Sequence, residues 1–404
     1  SHMARISFQA LLMAGALALA PVAVGSVAAQ AQVLEVAVDA SPVGLDPHRA
    51  TAFSTFQIIS GTIYEGLVAV DKDLRVKPGL AESWTVSPDG KTYTFKLRAG
   101  MTFHDGSKVE AADVVSTFNR VLSKDIASPL ASRLAVLEKA EAADPLTLVL
   151  TLKEPSAPLL ISAGTIAIVP RSMEAEKEAL QRAPIGTGPF KFKEWQPNGF
   201  VLLEKNAAYW RSGAPKLDGV KFNIVPESAT RQVGLSSGQY SMLPNIDAAT
   251  ALQVKGKPGV KLDETLELAY SFVGVNTSRP PFDNVKVRQA VNYALNRQEI
   301  IAAALFGAGV PGGPLSPALK DWALPVADFA CYKHDPAKAQ ALLKEAGFTA
   351  PVAITINVLP RQDIRDMAQV VQAQLNKAGF KVELKNQELG QFIQDWRNSN
   401  FDMF

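Results

Sequence analysis

Apolar and polar side chains alternate along residues 92–98, and this period of two predicts a half-buried β-strand. Tyr93, Phe95 and Leu97 form the apolar face of the predicted strand. The Ser-Pro-Asp-Gly stretch at 87–90 predicts a tight turn before it, because proline presets one backbone dihedral and glycine tolerates a positive φ. Further strands are predicted at 33–38, 146–155, 200–206 and 219–225.

Helical spacing of apolar residues marks other segments. Residues 53–66 are predicted as one helix that ends near Glu65-Gly66, because the spacing continues as far as Ile63. The segment 109–122 is also predicted to be helical. Its apolar face comprises Val114, Val115, Phe118, Val121 and Leu122.

The last third of the chain has a helix-rich pattern. Residues 284–306 are predicted to be helical, and 335–347 has a cap at Asp335, proline at the first turn and glycine past the end. The segments 352–359, 363–379 and 380–386 predict a strand-helix-strand unit, whose two strands should be parallel through a right-handed crossover. The fold class is therefore α/β, and 404 residues favour two or three lobes that share crossing segments.

The N-terminus has the outline of a secretory signal. Ser1, His2 and Met3 resemble an expression-tag scar, and an apolar run at 8–27 follows. Ala29-Gln30-Ala31 has the small-x-small form of a cleavage site, which predicts a mature chain from Gln32; cleavage after Ala28 is the alternative. An uncleaved membrane anchor is a further alternative, and the glycines, the proline and the small-residue end of the run argue against it.

Charge and cysteine content narrow the class of protein. Lys and Arg number 41 and Asp and Glu 39, with no basic stretch interleaved with aromatics, so nucleic acid is excluded as an expected partner. Cys331 is the single cysteine, so no internal disulfide forms, and no cysteine stands at the cleavage site for lipid modification. We therefore expect a periplasmic protein that is not stably inserted in the membrane after signal cleavage.

Motifs for catalysis or cofactor binding are weak. "GLSSG" at 234–238 formally matches the nucleophile elbow around Ser236, but that elbow needs a strand before the serine and a helix after it, and the pattern here is reversed. Cys331 and His334 lack the further ligands of a zinc site, and no dinucleotide or phosphate-binding glycine motif is present. No catalytic residue, metal or cofactor is expected, which favours binding over catalysis.

Eight stretches, in order along the chain, resemble the extracellular solute-binding proteins of ABC importers, in particular the peptide/nickel/opine class that includes dipeptide and oligopeptide binders. They are "LDPHRA" (45–50), "IYEGLV" (63–68), residues 78–115, "IGTGPFKF" (185–192), "NAAYW" (206–210), residues 280–297, residues 335–348 and the closing "FDMF" (401–404).

The resemblance implies a two-lobed Venus-flytrap fold, the type II periplasmic binding protein, with an additional third lobe. The lobes implied are 32–75 and 184–275 for lobe I, 76–183 for the extra lobe and 276–404 for lobe II, after a tag scar and signal peptide at 1–31. In such proteins lobe II continues beyond the "FDM" stretch, so its C-terminal part is expected to be missing here.

The resemblance also implies ligand-binding positions. Glu65, Gly66 and Leu67 match a family loop that faces the ligand cleft, with a solvated turn as the alternative. Asn245 stands where peptide binders place polar cleft residues. Leu130 replaces a ligand-contacting tyrosine of oligopeptide binders, which argues against that way of clamping a peptide.

The function implied is capture of a small peptide or related amine-containing ligand by hinge closure, followed by delivery to the permease subunits of an ABC importer. A cationic amine is the natural partner of Glu65 if this side chain faces the ligand. The alternatives are a binder of an opine, a metal chelate or a sugar, or an exported hydrolase that uses Ser236. We expect a monomer.

Overall fold

A computed structural model describes residues 30–404 of the chain. The predicted tag scar and signal peptide cover 1–31, so most of that segment lies outside the described residues. The strands are β1 (Val33–Val38), β2 (Val68–Val70), β3 (Val76–Pro78), β4 (Ala81–Val86), β5 (Thr92–Leu97), β6 (Leu137–Asp144), β7 (Thr147–Leu152), β8 (Phe190–Gln196), β9 (Phe200–Lys205), β10 (Gly219–Ile224), β11 (Val352–Val358) and β12 (Phe380–Asn386). The α-helices are α1 (Phe53–Ile59), α2 (Ala111–Leu122), α3 (Leu159–Ser162), α4 (Ala179–Arg182), α5 (Ser228–Ser237), α6 (Ala248–Val254), α7 (Val285–Ala294), α8 (Arg297–Leu305), α9 (Pro336–Glu345), α10 (Gln362–Lys377) and α11 (Leu389–Arg397).

The first sheet has the strand order β1-β10-β9-β8. The pair β1 and β10 is parallel, and the other neighbours are antiparallel. The chain leaves this sheet after β1 and returns to it at β8, so segments that are distant in sequence share one hydrophobic cluster. The strands predicted at 33–38, 200–206 and 219–225 are confirmed.

The second sheet has the order β4-β5-β7-β6, with antiparallel neighbours. In β5 the side chains of Tyr93, Phe95 and Leu97 are buried, and Lys96 between them is exposed. The amide of Gly90 donates to the carbonyl of Ser87 at 2.9 Å, and Gly90 has a φ of 71°. The predicted amphipathic strand and the turn before it are both confirmed.

Helix α2 packs on this second sheet. Glu110 and Asp113 form a reciprocal capping box at its start, and Val114, Phe118 and Val121 are buried. Leu122, which the sequence placed on the same face, is 47% exposed. That expectation was wrong because position 122 lies at the edge of the 114–118–121 stripe, in the last residue of the helix.

The helix predicted over 53–66 ends seven residues early, at Ile59. Ser60 is already extended, and Gly61 takes a φ of 73°, which a continuing right-handed helix does not allow. Ile63 keeps its helical spacing in sequence because its side chain is fully buried in the same cluster as Ile59. The apolar spacing therefore predicts correctly that Ile63 is buried, but it does not show that the helix has already ended before Gly61.

The third part of the protein contains α7 to α11 and the parallel pair β11 and β12, which α10 connects, as predicted. Asp335 accepts from the amide of Lys338 and caps α9, also as predicted. The helical segment predicted over 284–306 is two helices, because Leu295 and Asn296 are extended and the Asn296 side chain caps α8. Tertiary structure, in particular the bond from Asn296 N to Gln374 Oε1, holds this break.

The closing stretch of the chain lies beside β11. The backbone of Met403 bonds with that of Thr355 and Asn357, while Phe404 exchanges two hydrogen bonds with Gly274. The fully buried side chain of Met403 belongs to the hydrophobic cluster of the third part.

Three hydrophobic clusters of buried residues correspond to the first sheet, the second sheet with α2, and the third part. Ile185 packs against the clusters of both sheets. The lobe boundaries inferred from the family resemblance stay a prediction. Within residues 30–404, no helix is both long and apolar enough to cross a membrane.

Candidate ligand-binding cleft

A cleft of about 500 Å³ is lined by segments that are far apart in sequence: 47–79, 130–133, 165–167 and 210–211. Most of its wall is apolar, and its charged lining residues within the described chain are Glu65, Arg133 and Arg211. An apolar wall with a few convergent polar groups is typical of a small-molecule site. A larger, more open depression of about 940 Å³ lies beside β11 and β12, and none of the predicted site residues lines it.

The carboxylate of Glu65 accepts three side-chain hydrogen bonds. Thr187 Oγ1 and Trp210 Nε1 each donate to Oε1 at 2.9 Å, and the Tyr209 hydroxyl donates to Oε2 at 2.6 Å. An ionised carboxylate offers about four acceptor positions, and these bonds use two on Oε1 and one on Oε2.

Burial changes the proton affinity of this group. It raises the pKa of the Glu65 carboxyl, and the bonds from Tyr209, Trp210 and Thr187 oppose that rise. Burial also raises the pKa of the Tyr209 hydroxyl, and its bond to Glu65 adds to the effect. Tyr209 therefore stays protonated and serves as the donor in this pair.

His104 holds the glycine loop that carries Thr187. The amide of Gly186 donates to His104 Nδ1 at 3.3 Å, so Nε2 carries the proton and donates to the carbonyl of Gly188 at 2.9 Å. Burial lowers the pKa of His104, which agrees with a neutral ring. The Nδ2 group of Asn206 donates to the same Gly188 carbonyl at 2.9 Å.

The two glycines are required by a close approach of backbones. A Cβ atom on Gly186 would collide with the carbonyl oxygen of Ile63, and one on Gly188 with that of Thr62. Three of the stretches singled out in the sequence therefore meet at Glu65: "IYEGLV", "IGTGPFKF" and "NAAYW". His104, from the stretch 78–115, supports the second of them.

Two arginine side chains lie over the indole ring of Trp210. The guanidinium of Arg98 lies 4.4 Å from the indole centroid and that of Arg211 lies 5.0 Å from it. Arg98 Nε also donates to the carbonyl of Gly79, a cleft residue, at 2.8 Å. These contacts fix the indole whose N–H donates to Glu65.

A fully buried ion pair between Asp46 and Arg120 lies behind the cleft. The guanidinium donates to both carboxylate oxygens, at 3.0 and 2.7 Å, and to His48 Nδ1 at 2.8 Å. His48 Nε2 donates to the carbonyl of Ala167 at 2.7 Å. Desolvation by burial lowers the pKa of His48 to about 4, so the ring is neutral at physiological pH.

This ion pair and its neighbours position the cleft wall. His48 bonds to Ala167, which lines the cleft, and Ser128 Oγ bridges the carbonyl of His48 to the amide of Leu130, also a lining residue. The Tyr64 hydroxyl donates to the carbonyl of Leu45 at 3.1 Å. Leu45, Asp46 and His48 of the "LDPHRA" stretch are therefore buried and hold the residues of the cleft wall in place.

The structure brings together three of the five predicted ligand-binding residues. Glu65, Gly66 and Leu130 line the cleft. The Leu67 side chain is fully buried in the cluster of the second sheet, and its carbonyl accepts from the amides of Gly79 and Ala81. Asn245 is exposed, has a φ of 54° and does not line the cleft. Contact of these five residues with a ligand stays a prediction.

The sequence interpretation missed Arg133, Thr187, Tyr209, Trp210 and Arg211 as site residues. Thr187, Tyr209 and Trp210 stand inside "IGTGPF" and "NAAYW", which were recognised as motifs but not assigned to the site. Two aromatic donors next to each other were the available signal. Nothing in the local pattern marks Arg133 or Arg211.

Ser236 lies within the last turn of α5, with Gly238 in the left-handed conformation after it. The strand-to-helix turn of a nucleophile elbow is therefore not formed, and no hydrogen bond joins Ser236 to a histidine in residues 30–404. Within the same residues, no group of three or more His, Cys, Asp and Glu could hold a metal ion.

Comparison with known proteins relates this architecture to a family. The model of the bacterial extracellular solute-binding proteins, family 5 Middle, matches residues 75–404. The glutathione-binding protein GsiB of Salmonella paratyphi A is 32% identical over 360 residues, which are 88% of this chain and 70% of the relative.

Two solved structures share the fold over 92% of this chain. The ABC transporter substrate-binding protein CtaP of Listeria monocytogenes has a TM-score of 0.82 at 28% identity, over 78% of its own chain. A dipeptide-binding protein of Pseudoalteromonas sp. SM9913, solved with Met-Leu, has a TM-score of 0.70 at 26% identity, over 79% of its chain. The fold class expected from the sequence, that of the type II periplasmic binding proteins, is confirmed. The chain belongs to family 5 of the bacterial extracellular solute-binding proteins.

Proposed function

We propose that this protein captures a small peptide or related amine-containing ligand in the cleft beside Glu65 and delivers it to the permease subunits of an ABC importer. The observation that carries the proposal is the Glu65 carboxylate, which lines a largely apolar cleft and whose Oε2 accepts one side-chain hydrogen bond, from Tyr209. A ligand ammonium group would complete the fourth bond of the carboxylate, and a buried charge requires such a partner.

The relatives support this ligand class. GsiB is named for binding glutathione, and the Pseudoalteromonas protein was solved with the dipeptide Met-Leu. Both ligands are small peptides with a free amino group. Transfer to this chain rests on shared family membership and on the cleft described above.

The mechanism we propose is hinge closure. A ligand that contacts two lobes shifts the open-closed equilibrium by its differential affinity for the closed state, and a transporter then recognises the closed form. The protein acts as a monomer in the periplasm after removal of the signal peptide, and it is not an enzyme. The helical setting of Ser236 supports this last point against a hydrolase.

A thermal-shift screen tests the ligand class. We expect Met-Leu and glutathione to raise the melting temperature at concentrations well above Kd, because a ligand that binds only the folded state stabilises it by RT ln(1 + [L]/Kd). N-acetyl-Met-Leu, which has no ammonium group, should give a smaller shift. Stabilisation by sugars or metal chelates, with none by either peptide, would refute the proposal.

A further inference from the structure

Two ion pairs join the hairpin of β2 and β3 to the third part of the protein. Lys320 Nζ donates to Asp73 Oδ1 at 2.8 Å, and Arg75 Nη2 donates to Asp321 Oδ1 at 3.5 Å. Asp73 and Arg75 lie in the turn between β2 and β3, while Lys320 and Asp321 lie in the loop between α8 and α9. The two contacts therefore connect segments that are about two thirds of the chain apart, 247 and 246 positions.

The side chain of Asp71 closes the turn that carries Asp73 and Arg75. Its Oδ1 atom accepts from the amides of both residues at 2.9 Å, and Leu74 between them has a left-handed φ of 63°. The two strands that flank the turn line the ligand cleft, at residues 68–70 and 78. The turn is thus a direct extension of the cleft wall.

A second turn holds residues 320 and 321. The amides of Trp322 and Ala323 both donate to the carbonyl of Leu319, at 2.9 and 2.8 Å, and the amide of Leu319 donates to the carbonyl of Ser316, which is buried. Both sides of the contact therefore present their charges from an ordered backbone, which reduces the entropy lost when the contact forms.

The signs of the four charges fit a single register. Each side carries one acid and one base, and Arg75 also lies 4.0 Å from Asp73 within its own turn. The order Lys320, Asp73, Arg75 and Asp321 is then a chain of alternating charge, and a shifted contact would bring like charges together. The four side chains are 28–64% exposed, so each pair alone is weak, and the network is what gives the contact its strength.

The contact crosses between two hydrophobic cores. Val68 of β2 belongs to the cluster of the second sheet, and the helices α8 and α9 on either side of the 306–335 loop belong to the third part, which has its own cluster. An ion pair at 2.8 Å breaks when its partners separate by a few ångströms. The four charges meet only when the third part lies close to the cleft wall.

We propose that Asp73, Arg75, Lys320 and Asp321 form an electrostatic clasp, which holds the third part against the cleft wall in the closed form and slows the release of a bound ligand. The contact itself is independent of the ligand's identity, and its effect on release rests on the proposed function. A protein binds its ligand more tightly when a larger fraction of it is in the binding-competent form, so a contact that favours closure raises the affinity.

Zero-length cross-linking with a carbodiimide tests the contact, because this reagent joins a carboxylate directly to an amine that touches it. Mass spectrometry of the digested protein should identify an amide between Asp73 and Lys320, with a higher yield at saturating Met-Leu. Lys96 and Glu82 are the control, since they lie 3.1 Å apart on neighbouring strands of the second sheet. Their cross-link should have the same yield with and without Met-Leu.

Substitutions test the effect on ligand release. Lys320→Gln and Arg75→Gln should each weaken the binding of Met-Leu by about threefold at about 0.01 M salt, chiefly through faster dissociation. The difference from the unchanged protein should disappear at about 1 M salt, where the charges are screened beyond about 3 Å. Lys96→Gln removes a cation from a pair within one sheet and should change neither the affinity nor the dissociation rate.

Exchanging the charges separates pairing from the loss of a side chain. Asp73→Lys places a third cation beside Lys320 and Arg75 and should weaken Met-Leu by more than threefold. Adding Lys320→Asp to this variant restores an opposite pair and should recover most of the affinity.

The outcomes distinguish the clasp from peptide capture. If Met-Leu binds, the clasp is overturned by an absent Asp73–Lys320 product, by a yield that Met-Leu does not change, or by a Lys320→Gln variant that binds as Lys96→Gln does. A charge-exchanged double variant no better than Asp73→Lys overturns it as well. If Met-Leu does not bind, peptide capture fails, and the cross-link of the protein alone decides about the clasp: a product supports the contact, and its absence overturns it.

Discussion

At the scale of single residues, the cleft contains one acidic group with most of its hydrogen bonds already made. The sequence favoured Glu65 as a ligand acid, and the fold surrounds it with Thr187, Tyr209 and Trp210. Removing the charge therefore affects the protein as well as any ligand. Binding studies of Glu65 variants have to be accompanied by measurements of folding stability.

The buried His48 should make the free energy of unfolding depend on pH in the acid range. Its pKa is about 4 in the folded protein against an ordinary 6.5, so the unfolded chain binds the proton first as the pH falls. The low pKa of His48 therefore adds about 3 kcal/mol to the free energy of unfolding above pH 6.5. This stabilisation is lost as the pH falls from 6.5 to about 4.

His48→Gln removes the titrating ring and keeps a donor towards Ala167. Denaturant unfolding at pH 7.5 and pH 4.5 should show a smaller decrease of the unfolding free energy in this variant than in the unchanged protein. His334→Gln, at an exposed histidine, is the control and should keep the full decrease. The same decrease in all three proteins would exclude the linkage to His48.

At the scale of elements, the amphipathic patterns predicted what forms locally. The strand 92–97 and the parallel pair joined by α10 were predicted because burial on one face leaves its period in the sequence. The end of α1 was wrong because a single glycine, Gly61, outweighed a continuing apolar period.

The cleft was predicted only in part, for a related reason. Glu65 and Leu130 were identified through a family resemblance, while Arg211 was not. The bond between Glu65 and Thr187 joins residues that are 122 positions apart, and that between Glu65 and Trp210 spans 145. No local period records such contacts, because they depend on how the second sheet and the 185–190 loop pack around "YEGL".

The close packing of the 185–190 loop should make it sensitive to a single added methyl group. In Gly188→Ala the new methyl group would overlap the Thr62 carbonyl, which is backbone and has little freedom to move. We expect a loss of about 1–3 kcal/mol in unfolding free energy, typical of overpacking, together with weaker binding of Met-Leu because Thr187 shifts away from Glu65.

Gly309→Ala is the control, since a Cβ there meets nothing closer than the Ile301 side chain at 3.5 Å. Urea unfolding of both variants checks the loss of stability. Equal stability of Gly188→Ala and Gly309→Ala would show that the close approach at the loop is not required.

At the scale of the whole molecule, there are three hydrophobic clusters of buried residues. The fully buried pair of Asp46 and Arg120 connects a segment next to the cluster of the first sheet with helix α2, which belongs to the cluster of the second sheet. This pair lies between the "LDPHRA" stretch and α2, so it holds the segments behind the cleft as one unit. The third part has its own cluster, around β11, β12 and the surrounding helices. Separate cores of this kind suit a hinge motion, in which lobes move as rigid bodies around a ligand.

The most direct measurement is a crystal structure of the protein grown with saturating Met-Leu. We predict that the peptide occupies the cleft, with its amino group within hydrogen-bonding distance of Glu65 Oε2. We also predict that the third part closes over it. A peptide bound outside the cleft, or a cleft without peptide at saturation, would contradict the account.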